Sequence, residues 1–107
     1  MREPVCIISG VGPGTGSIMR VDLVTKAMTT LVSSSNPSAI AVDKNNIYWT
    51  TAPTKELAKD GSLFRIAKTG GNPEPLETGF GNPCELAVDD RAIYIADCSG
   101  ALWRLVK

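Results

Sequence analysis

One stretch of this chain occurs twice, and that repetition limits the possible folds more than any other feature. Residues 36–43, Asn-Pro-Ser-Ala-Ile-Ala-Val-Asp, return as residues 82–89, Asn-Pro-Cys-Glu-Leu-Ala-Val-Asp. The dipeptide at 47–48, Ile-Tyr, returns at 93–94. A third motif, Gly-[Ser/Ala]-apolar-x-Arg-apolar, begins at Gly16, Gly61 and Gly100. The chain is therefore built from similar units about 46 residues apart.

Within each unit, apolar and polar residues alternate with a period of two, which is the pattern of β-strands. No segment has a sustained helical period. The predicted strands in the first part of the chain are 17–24, 28–33, 38–43, 47–51, 62–68 and 74–78, and the repeat predicts similar strands downstream. Four strands per unit and a period in the forties are typical of a β-propeller blade. We therefore predict an all-β chain that holds about two to two and a half antiparallel blades.

The repeat divides the chain into four parts. Residues 1–15 are predicted to hold the end of a preceding blade and a Gly-rich loop, 16–60 the first repeat, 61–99 the second, and 100–107 the start of a third. A closed propeller needs about four to eight blades, more than 107 residues can supply. We expect the ring to be completed by the remaining blades of a longer chain or by self-association.

Composition excludes some partners without naming one. The chain has 11 basic and 11 acidic residues, and this balance argues against nucleic acid as a partner. No apolar run approaches the length of about 20 residues that spans a bilayer. The apolar segment within residues 1–9 is too short for a signal peptide. The partner, whether a protein or a small molecule, is unknown from the sequence.

Residues with catalytic potential are few. The chain has no histidine, which removes histidine-based acid–base catalysis, histidine–metal sites and Ser-His-Asp triads. The Gly-rich stretch 10–17 lacks the lysine of a phosphate-binding loop and precedes a strand rather than a helix. Three cysteines without histidine do not make a zinc site of normal spacing, and Cys6 is predicted to be a small buried residue. We predict no catalytic residue, cofactor or metal in this chain.

Several side chains that recur in the repeats are predicted to have structural rather than binding or catalytic roles. Three aspartates lie at predicted turns, where they accept hydrogen bonds from their own backbone: Asp43, Asp89 and Asp90. Cation binding near a propeller axis is the alternative for them. Four aromatic residues are predicted to pack between blades: Tyr48, Trp49, Tyr94 and Trp103. Three arginines are predicted to cover a sheet face or to pair with a neighbouring blade: Arg20, Arg65 and Arg104.

Cys84 and Cys98 are predicted to form a disulfide. A hairpin with residues 90–92 at its turn places Val88 opposite Tyr94. The same register places Cys84 directly opposite Cys98, where Cβ atoms lie about 4.5–5.5 Å apart. A disulfide requires about 3.5–4.5 Å, so a modest adjustment would close it; two unrelated buried thiols are the alternative. A disulfide would indicate an oxidising compartment.

The first repeat carries a seven-residue insertion, roughly residues 53–59, that the second repeat lacks. In repeat proteins such insertions map to loops on one face, often the binding face. The candidate binding residues are therefore Thr54, Lys55, Glu56 and Lys59. A neutral surface loop is the alternative.

The repeated motifs resemble those of a known family. Asn-Pro-x-x-[Ile/Leu]-Ala-Val-Asp, followed by Ile-Tyr-Trp-Thr at 47–50 and the Gly-Ser-[Ile/Leu]-x-Arg motif, resembles YWTD-like and NHL-like propeller repeats. Residues 70–76, Gly-Gly-Asn-Pro-Glu-Pro-Leu, fit the outer-strand signature of such repeats in secreted bacterial proteins, abundant in myxobacteria. The resemblance covers roughly residues 16–107 and implies a six-bladed propeller located outside the cytoplasm, in the periplasm or secreted.

Two functions from different classes follow. The first is a non-catalytic propeller segment that acts as a ligand- or protein-binding scaffold. The alternative is a fragment of a propeller enzyme, of lyase or hydrolase type, whose catalytic residues lie in blades that this chain does not contain. Similar propellers include both classes, and the histidines and metal-binding acids of the enzymes have no counterpart in this sequence. We therefore favour the binding scaffold.

Overall fold

The computed structural model describes residues 5–8, 16–21, 24–34, 37–53 and 60–107. Within these ranges the chain forms ten β-strands and no helix, which confirms the all-β fold class. The strands are β1 (Val5–Ile8), β2 (Gly16–Val21), β3 (Met28–Ser34), β4 (Pro37–Val42), β5 (Asn46–Thr51), β6 (Gly61–Ala67), β7 (Glu74–Phe80), β8 (Pro83–Val88), β9 (Ala92–Asp97) and β10 (Ala101–Val106). The strands predicted from the sequence are present, with shifts of a few residues at their ends.

The strands form three antiparallel sheets, each made of strands that are consecutive in the chain. The first sheet contains β1–β3, the second β4–β7 and the third β8–β10. The four-stranded unit predicted from the sequence corresponds to the second sheet. Residues 1–15 contribute β1, which pairs with β2 from Val5 opposite Arg20 to Ile8 opposite Ser17. Each sheet thus begins one or two strands before its motif glycine, which is Gly16, Gly61 or Gly100.

The second and third sheets share the same strand register at corresponding residues. Tyr48 on β5 pairs with Ala41 on β4 and with Arg65 on β6. Residues that pair across three neighbouring strands form a row. The row Ala41–Tyr48–Arg65 of the second sheet corresponds to Ala87–Tyr94–Arg104 of the third. The row Ala39–Thr50–Leu63 corresponds to Glu85–Ala96–Leu102. The repeat in sequence is therefore also a repeat of strand pairing.

Two apolar layers lie between the three sheets, so the second sheet is in the middle. The buried members of the layer between the first and second sheets are Ile18, Ile47, Trp49 and Ile66. Those of the layer between the second and third sheets are Ala39, Tyr48, Leu63, Phe80, Leu86, Ile93 and Ile95. Burying each large apolar side chain stabilises the fold by about 1.5–3 kcal/mol. The arrangement of these sheets as blades around a propeller axis stays a prediction.

Three of the four aromatic residues assigned to packing lie in these layers. Trp49 stacks on Phe64 with ring centroids 5.6 Å apart, and Trp103 meets Phe80 edge-on at 5.1 Å. Aromatic pairs of this kind add about 0.5–1.5 kcal/mol beyond the area they bury. Tyr94, in contrast, lies on a face of the third sheet that no other described sheet covers, and it is only half-buried.

Arg65 forms an ion pair within its own sheet, which differs from the predicted pairing with a neighbouring blade. Its guanidinium donates to Oε1 of Glu74 on the adjacent strand β7, at 2.5 Å from Nη2 and 3.2 Å from Nε. The partner lies in the same sheet rather than in a neighbouring one. Arg104 occupies the same repeat position in the third sheet and is exposed, since no described strand lies beyond β10.

The recurring glycine meets a different requirement in successive repeats. A Cβ atom on Gly61 would lie 2.8 Å from the main-chain oxygen of Phe80 and 2.9 Å from that of Thr51, so a side chain would force the strands apart. Gly100 instead has a φ of 121°, a conformation that residues with a side chain rarely adopt. The motif glycine therefore allows close approach of neighbouring strands at residue 61 and a positive φ at residue 100.

The hairpin of β8 and β9 differs by one residue from the predicted register. Val88 pairs with Ile93 and not with Tyr94. The carboxylate of Asp89 accepts a hydrogen bond from the amide of Ala92, and Asp89 in turn donates its own amide to the Ala92 carbonyl. These contacts shorten the turn and bring Ala92 into the strand, so the prediction of Cys84 directly opposite Cys98 in the ladder is wrong.

Cys84 and Cys98 nevertheless form the predicted disulfide, with Cα atoms 5.9 Å apart. A β-bulge lies at the first of these cysteines. The register shifts between Pro83 and Glu85, which leaves Cys84 as the extra residue on β8. The bulge moves the register by one more residue in the same direction as the turn, so that the amide of Cys98 donates to the carbonyl of Asn82. The disulfide therefore joins the bulged residue of β8 to the residue just after β9, which is not its partner in the ladder.

Candidate binding groove

Asp43 closes the turn between β4 and β5, as the sequence predicts. Its Oδ1 accepts hydrogen bonds from the amides of Asn45 and Asn46 at 2.9 and 2.7 Å. Asp89 makes the same two contacts, at 2.8 Å each, with the amides of residues 91 and 92. The turn-capping role is thus confirmed for both aspartates.

The second carboxylate oxygen of Asp43 binds groups from other parts of the chain. Its Oδ2 accepts hydrogen bonds from the hydroxyl of Tyr48 and from Nζ of Lys107, both at 2.7 Å. The same Nζ donates to the main-chain oxygen of Asp89 and lies 5.4 Å from the ring centroid of Tyr48, within cation–π range. Because Lys107 directly follows β10, these contacts join the second sheet to the third.

The surroundings determine the charge of each member of this cluster. Burial alone would raise the pKa of Asp43, but hydrogen bonds from Lys107, Tyr48 and the turn amides outweigh it and hold the pKa well below its usual range. Burial, and then the Asp43 carboxylate, raise the pKa of Tyr48. Burial would lower the pKa of Lys107, but Asp43 raises it overall. At neutral pH the cluster therefore holds an anion, a neutral hydroxyl and a cation.

A polar groove opens beside this cluster and has two adjoining parts. The first has a volume of about 370 Å³ and is lined by Asp43, Lys44, Asn45, Asn46, Tyr48, Arg65, Asp90 and Lys107. The second, of about 420 Å³, shares Asn46 and Arg65 and continues to the β6–β7 turn, where its lining includes Gly70, Asn72 and Glu74. The polar groove thus lies at one end of the second sheet and reaches residues of the third.

The side chains that the polar groove offers to a ligand are hydrogen-bonding groups of both charges. Lys44, Asn45, Asn72 and Asp90 are exposed, whereas Asp43 is already bonded to the groups described above. A balanced set of donors and acceptors suits reversible binding of a polar ligand. Among the described residues, no group of three or more His, Cys, Asp and Glu is placed to hold a metal ion.

Four of the predicted site residues lie outside the described residues: Thr54, Lys55, Glu56 and Lys59. The Gly-rich segment 9–15 lies outside them as well. The Cys84–Cys98 disulfide lies at the beginning of β8 and just after β9, and neither cysteine is among the described residues that line the polar groove.

Sequence reasoning assigned Asp43 and Tyr48 to a turn and to packing but did not join them into one site. A usable signal was present, because an aspartate followed five residues later by a tyrosine occurs at 43 and 48 and again at 89 and 94. In both repeats the tyrosine hydroxyl donates to the aspartate Oδ2, at 2.7 Å and 3.1 Å. The contribution of Lys107 gave no signal, since it lies 64 residues from Asp43.

Comparison with known proteins gives no family to which the chain can be assigned. No family model matches the sequence, and no curated protein matches it significantly. The resemblance to YWTD-like and NHL-like repeats therefore stays a prediction. In the described ranges there is no helix of the length and apolarity that a membrane span requires.

Proposed function

We propose that this chain is a segment of a β-propeller that acts as a non-catalytic binding scaffold, with the polar groove as its ligand site. Support for the propeller comes from the repeat of about 46 residues and from successive antiparallel sheets with matching register. Support for binding comes from one observation: a groove lined by charges of both signs at the junction of two sheets. The alternative, a fragment of a propeller enzyme, remains a prediction from the sequence.

The lining favours a polar peptide segment of a partner protein as the ligand. A peptide presents main-chain donors and acceptors together with side chains of either charge, which matches Asn45, Asn46, Lys44 and Asp90. A highly charged ligand would be repelled by one half of such a lining. Tyr48 is only 1% exposed, so its ring offers no free face on which a sugar or a base could stack.

The disulfide supports a location outside the cytoplasm. Disulfides form and persist in oxidising compartments such as the periplasm or the extracellular space. The Cys84–Cys98 pair is exposed on the surface of the third sheet, where a reducing cytoplasm would reach it. Trapping free thiols in freshly lysed cells with a maleimide would show both cysteines protected if the protein is exported.

A selection from a random peptide library displayed on phage tests the binding function. Peptides that enrich on the wild-type protein should bind the Arg65→Ala variant about tenfold more weakly, because Arg65 lines both parts of the polar groove. Arg104→Ala is the matched control, since Arg104 has the same repeat position on an exposed face outside the groove. Failure to enrich any peptide, or equal affinity for both variants, would contradict the proposal.

A further inference from the structure

Two equivalent turn positions carry opposite charges in successive sheets. The β4–β5 turn contains Asp43 followed by Lys44, and the β8–β9 turn contains Asp89 followed by Asp90. The first aspartate of each turn caps it through the equivalent pair of main-chain amides. Lys44 and Asp90 therefore have the same place in the same kind of turn, but one is a cation and the other an anion.

Lys44 and Asp90 also line the same part of the polar groove, the part of about 370 Å³ to which the second and third sheets both contribute. Both residues are exposed. Within the described part of the chain, neither side chain forms an ion pair or a hydrogen bond, with the other or with a third group. Both charges are therefore available to a ligand.

The other charged side chains of the polar groove are paired within the protein. Nζ of Lys107 donates to Oδ2 of Asp43 at 2.7 Å, and the guanidinium of Arg65 donates to Oε1 of Glu74. A ligand charge would have to compete with those partners. Residues 44 and 90 face no such competition, so they are the positions at which the groove distinguishes ligands by charge.

The remaining polar lining includes three side-chain amides, those of Asn45, Asn46 and Asn72. Each amide offers hydrogen-bond donors and an acceptor but no charge. A peptide main chain presents a donor and an acceptor at almost every residue, so these amides suit a peptide of any sequence. Selection between peptides must then come from the two unpaired charges.

We propose that Lys44 and Asp90 determine the specificity of the polar groove, and that its peptide ligand carries an acidic side chain beside Lys44 and a basic side chain beside Asp90. The inference rests on the binding function proposed above and adds to it the charge pattern of the ligand. A peptide with two charges of the same sign is repelled at one of the two positions. A peptide with its acidic and basic residues exchanged is repelled at both.

An exchange of the two charges in the protein tests the proposal. The double variant Lys44→Asp with Asp90→Lys keeps the net charge and gives each turn the residue that the other turn already contains, so both turns should form as before. Peptides are selected on the wild type from a random library displayed on phage. Each is then synthesised in its original form and with its acidic and basic residues exchanged.

The preference between the two forms of each peptide is the measured quantity. The wild type should bind the original form about five- to tenfold more tightly, because two exposed ion pairs become two repulsions in the exchanged form. The double variant should prefer the exchanged form by a similar factor. Both preferences should weaken in about 1 M salt, which screens charges beyond a few ångströms.

Lys26→Asp with Glu85→Lys is the matched control. It exchanges the same two charges at exposed positions that are not among the described residues lining the polar groove. Its preference should therefore remain that of the wild type. Unchanged circular dichroism of both double variants shows that a changed preference does not result from loss of folding.

The outcomes separate this inference from the proposed function. If no peptide enriches, or if Arg65→Ala binds the enriched peptides as tightly as the wild type does, the proposed function fails and this inference fails with it. If binding depends on Arg65 but the double variant keeps the wild-type preference, only the roles of Lys44 and Asp90 are overturned. Enriched peptides that lack an acidic or a basic residue would overturn those roles as well.

Discussion

The second and third sheets repeat the same sequence pattern in different surroundings. Leu63 and Leu102 have the same place in the strand register, yet the first is 0% exposed and the second 78%. Tyr48 is fully buried and Tyr94 is half-buried. The difference teaches that the repeated pattern specifies strands and pairing, whereas burial depends on whether a further sheet lies alongside.

The ends of the two sheets are also held together differently. In the second sheet, the hydroxyl of Ser38 contacts Oγ1 of Thr50 at 2.9 Å and donates to the carbonyl of Pro83 on the third sheet at 2.8 Å. In the third sheet, Cys84 occupies the position of Ser38 and is bonded to Cys98. Among the described residues, the third sheet packs against one other sheet and the second against two. The third sheet thus has a disulfide at the position where the second has a hydrogen bond to its neighbour.

The largest expected effect comes from truncating the same leucine in each sheet. Leu63→Ala should lower the free energy of unfolding by about 2–5 kcal/mol, because it leaves a cavity in the buried layer between the second and third sheets. Leu102→Ala should change it by less than about 0.5 kcal/mol in the monomer. Urea unfolding of both variants at equal concentration measures the difference.

Exposure is the basis of that comparison. Leu63 is 0% exposed and Leu102 is 78% exposed, so only the first variant should lose a buried side chain. Equal costs for both variants in dilute solution would mean that the third sheet is covered on both faces, which would break the comparison.

The disulfide should give the next largest effect. Replacing both Cys84 and Cys98 with serine opens a loop with a sequence separation of 14 and should lower the free energy of unfolding by about 3 kcal/mol. Ser38→Ala is the corresponding change in the second sheet and should cost only about 1 kcal/mol, the usual value of a hydrogen bond. Thermal unfolding with and without a reducing agent distinguishes the effect of the disulfide from that of the hydrogen bond. A reducing agent should lower the unfolding temperature of the wild type and of Ser38→Ala, which contain the disulfide, and should leave that of the double serine variant unchanged.

A smaller, pH-dependent effect is expected from Asp97 at the end of β9. Burial would raise its pKa, but hydrogen bonds from Ser99, Gly81 and Asn82 lower it to about 2. An unfolded aspartate has a pKa of about 3.9. Because the folded pKa is the lower one, this stabilisation is present above about pH 4 and is lost as the pH falls to about 2.

Asp97→Asn isolates that contribution. The variant should be about 1–3 kcal/mol less stable than the wild type at pH 7, and the difference should shrink towards pH 2. Thr51 occupies the same place in the second sheet and accepts the amide of Ser62 at 3.2 Å without a charge. Thr51→Val should therefore show a difference that does not vary with pH, and a constant difference for Asp97→Asn would refute the assignment.

Strand positions could be predicted because they depend on local pattern. The alternation around Ile47–Thr51 and the turn residues after Val42 and Val88 were sufficient to place the hairpins. The register of the β8–β9 hairpin could not be predicted to the residue, because a capped turn at one end and a bulge at Cys84 each shift it by one residue in the same direction. The disulfide prediction was correct although the register behind it was wrong, since the two cysteines lie near each other at the open end of the hairpin, with Cα atoms 5.9 Å apart.

The polar groove could be predicted only in part. The aspartate at each turn was visible in the sequence, because its contacts lie two and three residues away. The contact between Asp43 and Lys107 was not, since only the packing of the third sheet on the second brings them together. The candidate binding residues Thr54, Lys55, Glu56 and Lys59 were chosen from the insertion in the first repeat, and they stay a prediction because they lie outside the described residues.

The two oxygens of the Asp43 carboxylate belong to different stages of folding. Oδ1 caps a turn whose amides lie two and three residues away, so this contact closes in the time of a small loop. Oδ2 receives Lys107 from 64 residues away, a contact that must wait for two sheets to assemble and that carries a larger closure entropy. Asparagine at this position retains an oxygen that accepts from the turn amides but loses the charge that binds Lys107, so it should leave hairpin formation nearly unchanged and speed unfolding. A single side chain is therefore expected to take part in both an early and a late step of folding.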